Sequence, residues 1–224
     1  MTTPKNEREA WLGTITPEDI DRLMADNGQA EANARHVQAF FRKYPLAPGS
    51  RILVAGCGTC QMLDYLKPAD LGNVKCTFSD ISVRMLEAAQ QRLRLHDGFS
   101  YEVIIDDLEN TSITQQFDAV LLSLVLLHLE WKKCLLNVSN LNINRVYVIE
   151  QEQTPGTPVA GSRQRPLPPT IKKYAETVSI KLVSRPELIR FLAELGYELV
   201  HISETCVPDE KVMVGLVFQR LQSI

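Results

Sequence analysis

The 224-residue sequence predicts an α/β fold, with helices on both faces of a mostly parallel sheet and extra helices at the N-terminus. Between residues 51 and 150, short apolar segments alternate with segments of helical periodicity, which is typical of parallel strands joined by right-handed crossovers. Residues 119–124 are almost wholly apolar, as expected of a central parallel strand. The last two apolar segments flank a Pro208-Asp209-Glu210 turn, which indicates an antiparallel pair at the end of the sheet.

Residues 1–46 precede the first predicted strand and are assigned to an N-terminal arm followed by cap helices. Residues 1–16 are predicted to be a flexible or loosely packed arm. A helix is predicted from Thr16, because a hydroxyl cap is followed there by a proline and two acids. A second helix is predicted over residues 31–44. These helices are extra to the sheet and form either a simple cover or a segment that closes over a ligand.

The remaining residues, 47–224, are assigned to one main domain. Its first five strands are predicted at residues 51–54, 74–79, 101–105, 119–124 and 146–150. Helices are predicted near residues 61–66, 82–95 and 131–140. After a last helix from Ser184 to Gly196, two further strands are predicted at residues 197–203 and 212–221, which brings the sheet to seven strands.

A lid-like insertion is predicted over residues 151–183, where the alternation of strands and helices stops. Five of the twelve prolines fall within residues 151–173. A segment this irregular is either a disordered loop or a lid at the ligand edge of the sheet.

Residues 52–62 join an apolar strand to a helix through a small-residue turn that contains Gly56 and Gly58. Such a turn presents backbone N–H groups to a nucleotide-like ligand, and glycine permits close approaches that a Cβ would obstruct. Asp80 follows Gly58 by about 20 residues, at the end of the next predicted strand, where a carboxylate accepts hydrogen bonds from ribose hydroxyls. The alternatives are glycines that serve packing alone and an aspartate that caps the next helix.

Composition and charge exclude several classes of function. The formal net charge is −3 and no run of Lys or Arg occurs, so nucleic acid is not an expected partner. The longest apolar run, residues 119–127, is too short to cross a membrane. Five irregularly spaced cysteines favour a reducing cytoplasm. No second pair completes a metal site with the Cys57-x-x-Cys60 motif, so no metal is predicted, and a redox role is less favoured than a place in the glycine turn.

The motifs at the strand ends resemble those of the class I S-adenosylmethionine-dependent methyltransferases, over about residues 50–221. The matching segments are ValAlaGlyCysGlyThrCys at 54–60, SerAspIleSerValArgMetLeuGluAlaAla at 79–89, AspAspLeuGlu at 106–109, residues 117–129, and the helix–Gly–Tyr–strand–turn–strand ending at 186–220. The resemblance implies a Rossmann-like seven-stranded sheet whose last strand is antiparallel. It also implies S-adenosyl-L-methionine as the cofactor and S-adenosyl-L-homocysteine as its product.

The resemblance assigns a set of residues to the cofactor: Ala55, Gly56, Cys57, Gly58, Asp80, Ile81, Met85, Asp107, Leu108, Ser123, Leu124 and Val125. Asp80 would accept the ribose hydroxyls and Asp107 the adenine amino group, with Asp106 as the rival of Asp107. The family usually has an acid in place of Val54 and a third glycine in place of Cys60.

His128 is the candidate general base or substrate contact, because a histidine follows the fourth strand in many family members that modify small molecules. Its alternative is a histidine bonded within the helix start. Glu150 and Glu152 end the fifth strand and are candidates for a substrate contact or for solvated surface residues. Arg163, Arg165, Lys172 and Lys173 either hold an anionic substrate or belong to a solvated loop.

The sequence therefore predicts a cytoplasmic methyltransferase that acts on an oxygen or nitrogen of a small molecule. The lid and residues 17–44 are expected to enclose the substrate together and to be more mobile without ligand. The alternatives are a methyltransferase acting on protein or RNA and a cofactor-binding module without catalysis. The oligomeric state is left open.

Overall fold

The structure, a computed structural model, describes residues 6–71, 73–96, 98, 100–153, 166–178, 180, 182–208 and 211–221. The strands are β1 (Arg51–Ala55), β2 (Lys75–Asp80), β3 (Ser100–Ile105), β4 (Ala119–Ser123), β5 (Arg145–Gln153), β6 (Tyr197–Val207) and β7 (Lys211–Arg220). They form one sheet in the order β3-β2-β1-β4-β5-β7-β6. All pairs among β1 to β5 are parallel, and β7 is antiparallel to both of its neighbours. The predicted fold class is confirmed.

The helices are α1 (Glu7–Glu9), α2 (Pro17–Asp26), α3 (Gln29–Lys43), α4 (Val83–Leu93), α5 (Trp131–Asn140), α6 (Pro169–Thr177) and α7 (Arg185–Glu194). Helices α3 and α4 bury apolar side chains in the core on one face of the sheet. Helices α5 and α7 do the same on the other face, so the sheet lies between two helical layers. None of the described helices combines the length and apolar character that a membrane crossing requires.

Helix α3 is a layer of the main core rather than a cap. Phe40 is fully buried and stacks on Tyr147 of β5, with ring centroids 5.3 Å apart. Helix α3 lies so close to β7 that a Cβ on Gly215 of β7 would be 2.5 Å from His36 Nδ1 of α3. The predicted boundary after residue 46 therefore does not coincide with a break in the packing.

The N-terminal segment, residues 6–16, is folded and packed against the main domain. Asn6 caps α1 by accepting a hydrogen bond from the Glu9 N–H at 2.9 Å. A π-helical turn over Ala10–Thr14 follows. Ala10 and Ile15 are buried in a small core with Ile171 and Tyr174 of α6. The expectation of a flexible or loosely packed arm is wrong for these residues, because their apolar side chains pack against a distant helix. Residues 1–5 lie outside the described residues.

Helix α6 lies within the predicted insertion and buries Ile171 and Tyr174. The expectation of a disordered loop or lid cannot be followed over residues 154–165, including Arg163 and Arg165, which lie outside the described residues. The described part of the insertion is thus a helix held against the N-terminal segment.

Candidate active site

A cavity lies where β1, β2, β3 and β4 end, at the edge of the sheet where α/β folds bind ligands. Its floor consists of the loops that follow these four strands. Its roof consists of side chains from the N-terminal segment, α2, the first turns of α3, and α6. The floor and the roof therefore come from different parts of the sequence.

The floor contains nearly all of the residues predicted to bind the cofactor. Those that line the cavity are Ala55, Gly56, Cys57, Gly58, Asp80, Ile81, Asp107, Leu108, Ser123, Leu124 and Val125. Met85 is the exception among the predicted set, because it does not line the cavity. It is fully buried and packs with Ala10 and Ile15. The structure thus does not bring Met85 to the cavity, because its side of α4 is covered by the N-terminal segment.

Gly56 and Gly58 serve different purposes in the turn after β1. Both have positive φ angles, +62° at Gly56 and +54° at Gly58. A Cβ at Gly56 would collide with the Val125 side chain, whereas a Cβ at Gly58 would meet nothing within 4 Å. Gly58 lines the cavity, so its missing side chain leaves room for a ligand to approach the backbone.

Asp80 ties this turn to the start of α4. Its Oδ2 accepts a hydrogen bond from the Gly58 N–H and its Oδ1 accepts one from the Ser82 N–H, both at 2.9 Å. Burial raises the pKa of Asp80, although these backbone donors oppose the rise. The carboxyl group therefore shapes the loop and also faces the cavity, so the two interpretations from the sequence are compatible.

Asp106 lines the cavity, and only one of its two carboxyl oxygens is bonded to described residues. Its Oδ1 accepts hydrogen bonds from Thr111 Oγ1 at 2.9 Å and from the Ser112 N–H at 3.2 Å. Its Oδ2 is buried and has no hydrogen-bond partner among the described residues. Burial raises the pKa of Asp106, with the two hydrogen bonds opposing the rise.

Asp107 is occupied on both oxygens. Oδ1 accepts from the Glu109 N–H at 3.0 Å, and Oδ2 accepts from Asn110 Nδ2 at 3.0 Å and pairs with Arg8 at 3.1 Å. Partial burial raises the pKa of Asp107, but the donors and the nearby positive charges outweigh it and lower the pKa. Both aspartates line the cavity, and the unpaired oxygen belongs to Asp106, the rival position.

The two departures from the family pattern have local consequences. Cys60 adopts a left-handed conformation with φ 58°, which glycine would adopt without strain, and a short 3₁₀ turn (Gln61–Tyr65) follows in place of the predicted helix. Val54 lines the cavity with an apolar side chain. The neighbouring Cys60 thiol and burial raise the pKa of Cys57 well above its ordinary value, so Cys57 stays a neutral thiol.

His128 lies between the floor and the roof. Its Nδ1 is 3.0 Å from the hydroxyl oxygen of Tyr174 and 3.6 Å from Glu7 Oε2. The Trp11 ring meets the imidazole edge-on, with centroids 4.9 Å apart. Burial, and then the charge of Glu7, raise the pKa of Tyr174, so its hydroxyl keeps its proton.

Comparison with known proteins identifies the domain that carries the floor. A family model described as a methyltransferase domain matches residues 53–142, from β1 through α5. Residues 53–142 are a methyltransferase domain. The match contains the glycine turn, Asp80, Asp106, Asp107 and His128. A search of curated protein sequences finds no match.

Solved structures similar to this chain extend the class I S-adenosylmethionine-dependent methyltransferase fold over the elements outside the matched domain. Magnesium protoporphyrin IX methyltransferase (ChlM) from Synechocystis PCC 6803 with bound SAH is 20% identical, with a TM-score of 0.65 over 85% of this chain and 83% of that one. The O-methyltransferase NcsB1, with SAH and 1,4-dihydroxy-2-naphthoic acid, is 16% identical, with a TM-score of 0.58 over 92% and 57%. The [4+2]-cyclase SpnF is 13% identical, with a TM-score of 0.63 over 86% and 82%. These likenesses establish the fold.

The sequence did not predict a place at the site for the roof residues Glu7, Trp11 and Tyr174, which lie outside residues 53–142. The first two fall in the segment that was expected to be loosely packed. Tyr174 follows Pro168-Pro169, and a proline pair at a helix start was the one signal that could have placed a helix there.

Glu150 and Glu152 do not line the cavity. Glu150 is buried, and this burial raises its pKa to about 8. Glu152 forms an ion pair with Arg185, whose Nε lies 2.6 Å from Glu152 Oε1. The expectation of solvated side chains is wrong for Glu150, because alternate residues of a strand share one face, and Val146 and Val148 of β5 face the core that α5 and α7 cover. Lys172 is exposed and pairs with Glu176 on the same helix.

Proposed function

We propose that the protein transfers the methyl group of S-adenosyl-L-methionine to an oxygen or nitrogen of a small molecule. The observation that carries this proposal is the continuity of the cavity from the floor of the methyltransferase domain to an apolar roof. The roof side chains include Trp11, Ile20, Leu23, Ile171 and Tyr174. An apolar chamber with a few polar groups is typical of sites for small molecules.

The floor residues are suited to the cofactor. Asp80 borders the ribose position expected from the fold, and the open space at Gly58 admits the ligand close to the backbone. Ser123 Oγ and Gln61 Nε2 are buried, line the cavity and have no hydrogen-bond partner among the described residues. Buried polar atoms of this kind call for a partner, which a bound ligand would provide.

The cofactor supplies an electrophilic methyl group on a sulfonium ion. The protein contributes position, since methyl transfer requires the acceptor atom to lie in line with the carbon–sulfur bond. The roof excludes water from the acceptor. His128 is the cavity-lining imidazole and can receive the proton that the acceptor loses.

The small-molecule hypothesis is favoured over a protein or RNA substrate by the roof. Asp19 Oδ2 of α2 accepts hydrogen bonds from both the N–H and the hydroxyl of Thr170 at the start of α6. The two roof helices are thereby joined above the cavity. A polymer chain would have to part them, whereas a small molecule fits beneath them.

Two measurements test the proposal in sequence. Calorimetry with S-adenosyl-L-homocysteine should show binding that is weakened at least tenfold in Asp80→Asn and is unchanged in Glu31→Gln, an exposed carboxylate on α3. Small-molecule acceptor libraries should then yield S-adenosyl-L-homocysteine from S-adenosyl-L-methionine. Binding without turnover by any small molecule, but with turnover by protein or RNA, would refute the proposed substrate class. Conversion of a small molecule without consumption of S-adenosyl-L-methionine would indicate a reaction of another kind on the same fold.

A further inference from the structure

We propose that Glu7 is a positioning residue that selects the tautomer of His128, and that the methyl acceptor is therefore the hydroxyl group of an uncharged, largely apolar molecule. This inference rests on the proposed function and deepens it. Glu7 belongs to α1, which precedes the methyltransferase domain in the chain.

The segment that carries Glu7 is built into the site. Arg8 pairs with Asp107 on the floor at 3.1 Å, and Ala10 is fully buried. The π-helical turn is closed by the Ile15 N–H, which donates to the Ala10 carbonyl at 2.9 Å. Such turns are rare and occur frequently at functional sites. Here the turn presents Trp11 to the cavity.

Two polar atoms of this segment are buried without a hydrogen-bond partner among the described residues: Glu7 Oε2 and Trp11 Nε1. A buried group of this kind is costly unless something pairs with it. Glu7 Oε2 lies 3.6 Å from His128 Nδ1, so a proton on Nδ1 would face it. Trp11 also lines the cavity, so its indole ring borders the space that a bound molecule would occupy.

The neighbours of Nδ1 decide which ring nitrogen of His128 carries the proton. The Tyr174 hydroxyl, 3.0 Å away, can donate to Nδ1 or accept from it. The Glu7 carboxylate can only accept, and a lone pair on Nδ1 would face its negative charge. Glu7 therefore favours the tautomer with the proton on Nδ1. Nε2 is then the proton acceptor, since the Tyr174 and Glu7 contacts of the ring both involve Nδ1.

An unprotonated Nε2 suits a hydroxyl acceptor. The oxygen lone pair forms the bond to the methyl carbon, the carbon–sulfur bond electrons go to sulfur, and the hydroxyl proton passes to Nε2. The imidazolium that results is stabilised by Glu7 across Nδ1, as a carboxylate stabilises it in catalytic triads. A neutral amine attacks with its own lone pair and has less need of this base.

The residues that line the cavity restrict the parts of the acceptor molecule other than its hydroxyl group. Among the described residues, no Lys or Arg lines the cavity, so an anionic group would find no charged partner there. The floor instead carries the carboxyl groups of Asp80, Asp106 and Asp107. Apolar roof side chains, and an indole N–H that has no partner among the described residues, fit an uncharged ring with a hydroxyl and a hydrogen-bond acceptor.

The tautomer can be measured in the intact protein without any substrate. Ring ¹⁵N signals of His128, recorded at alkaline pH and assigned with His128→Gln, should show the proton on Nδ1 in the wild type. In Glu7→Gln the Tyr174 hydroxyl is free to donate to Nδ1, so the proton should move to Nε2. Unchanged signals in Glu7→Gln would overturn the inference, whether or not an acceptor is known.

Kinetics provide the second readout, with 2-naphthol and 2-naphthylamine as matched probes. Glu7→Gln should lower kcat with 2-naphthol by 10- to 100-fold, leave S-adenosyl-L-homocysteine affinity within twofold, and affect 2-naphthylamine less. Glu7→Asp should recover part of the loss, and Glu18→Gln, an acid on α2 outside the cavity lining, should behave as wild type. Equal losses with both probes, or a joint loss of folding and cofactor affinity, would mean a structural role for Glu7. If the wild type methylates neither probe, the proposed activity is what is in question, and the ring signals decide the inference about Glu7.

Discussion

Asp19 on α2 accepts two hydrogen bonds from Thr170 on α6, one from the backbone N–H and one from the hydroxyl, each at 2.7 Å. The two residues are 151 positions apart in the sequence. Their contact joins the roof helices above the cavity. Neither helix contributes to the two cores on the faces of the sheet. The pair adds a polar link to the apolar cluster that α2 and α6 share.

The first prediction concerns this link. Asp19→Ala should loosen α2 and α6, because it leaves the Thr170 N–H and hydroxyl without an acceptor. Hydrogen exchange should accelerate in residues 17–26 and 169–177 and stay slow in α3, whose aromatic side chains are in the core. The KM for the acceptor should rise several-fold.

The control for this variant is Asp26→Ala, on the same helix, where the carboxylate pairs with Arg22.

Binding of S-adenosyl-L-homocysteine and substrate should slow exchange in α2 and α6 of the wild type. This narrows the expectation from sequence, which included all of residues 17–44 in the mobile cover. Identical exchange in the bound and free states would show that the roof is static.

The second prediction separates the two glycines of the β1 turn. Gly56→Ala should destabilise the protein, since the new Cβ would collide with Val125 at a positive φ. Gly58→Ala meets no protein atom within 4 Å and should cost only the backbone strain of about 1–2 kcal/mol, while it weakens cofactor binding. Thermal unfolding and calorimetry on both variants measure this. Full cofactor affinity in a folded Gly58→Ala would mean that the ligand does not approach this residue.

The floor of the site could be predicted from sequence because its parts are local. Each strand end lies within a few residues of the glycine turn or the acid that follows it, so the motif at residues 54–60 and Asp80 could be placed from the order of residues alone. The conformation of Cys60 could not be predicted in the same way, because the turn holds this residue in the left-handed region that glycine favours.

The roof could not be predicted, because its contacts are between segments far apart in the chain. Glu7 meets His128 across more than half of the sequence, and no pattern in residues 1–16 indicates that contact. The choice between Asp106 and Asp107 was also beyond the sequence. The two adjacent carboxyl groups differ in the donors that reach them. Donors around Asp107 occupy both of its oxygens, whereas one oxygen of Asp106 has no partner among the described residues.

The third prediction concerns the pH dependence of stability. Burial raises the pKa of Glu150 from its ordinary value of 4.5 to about 8. The folded protein therefore holds this proton more tightly than the unfolded chain does. The resulting stability is fully present below pH 4.5 and is lost as the pH rises through 8, on the order of 5 kcal/mol in all.

Glu150→Gln tests this, because it keeps the shape of the side chain and removes the ionisation. The variant and the wild type should have similar stability near pH 4.5, and the variant should be the more stable of the two at pH 8. Denaturant unfolding at pH values from about 4.5 to about 8 measures the difference, with Glu194→Gln, an exposed acid on α7, as the control. A constant difference across this range would contradict the raised pKa.

The last prediction assigns the adenine contact to Asp106. Its Oδ2 is the buried carboxylate oxygen on the floor that has no partner among the described residues, whereas both oxygens of Asp107 are occupied. A hydrogen bond to a charged group contributes roughly 1.5–3 kcal/mol, so Asp106→Asn should weaken S-adenosyl-L-homocysteine binding by about 10- to 100-fold. Asp107→Asn, the matched control, should change it by less than threefold.

A ligand without the adenine amino group makes this test specific. S-inosyl-homocysteine presents a carbonyl oxygen where adenine has its amino group, and the side-chain amide that Asp106→Asn introduces can donate to that oxygen. The variant should therefore bind the inosyl ligand at least as well as the wild type does, while it binds S-adenosyl-L-homocysteine more weakly. Should Asp107→Asn show this reversal and Asp106→Asn not, the amino group is held by Asp107, and the pairing of Asp107 with Asn110 and Arg8 must open when the cofactor binds.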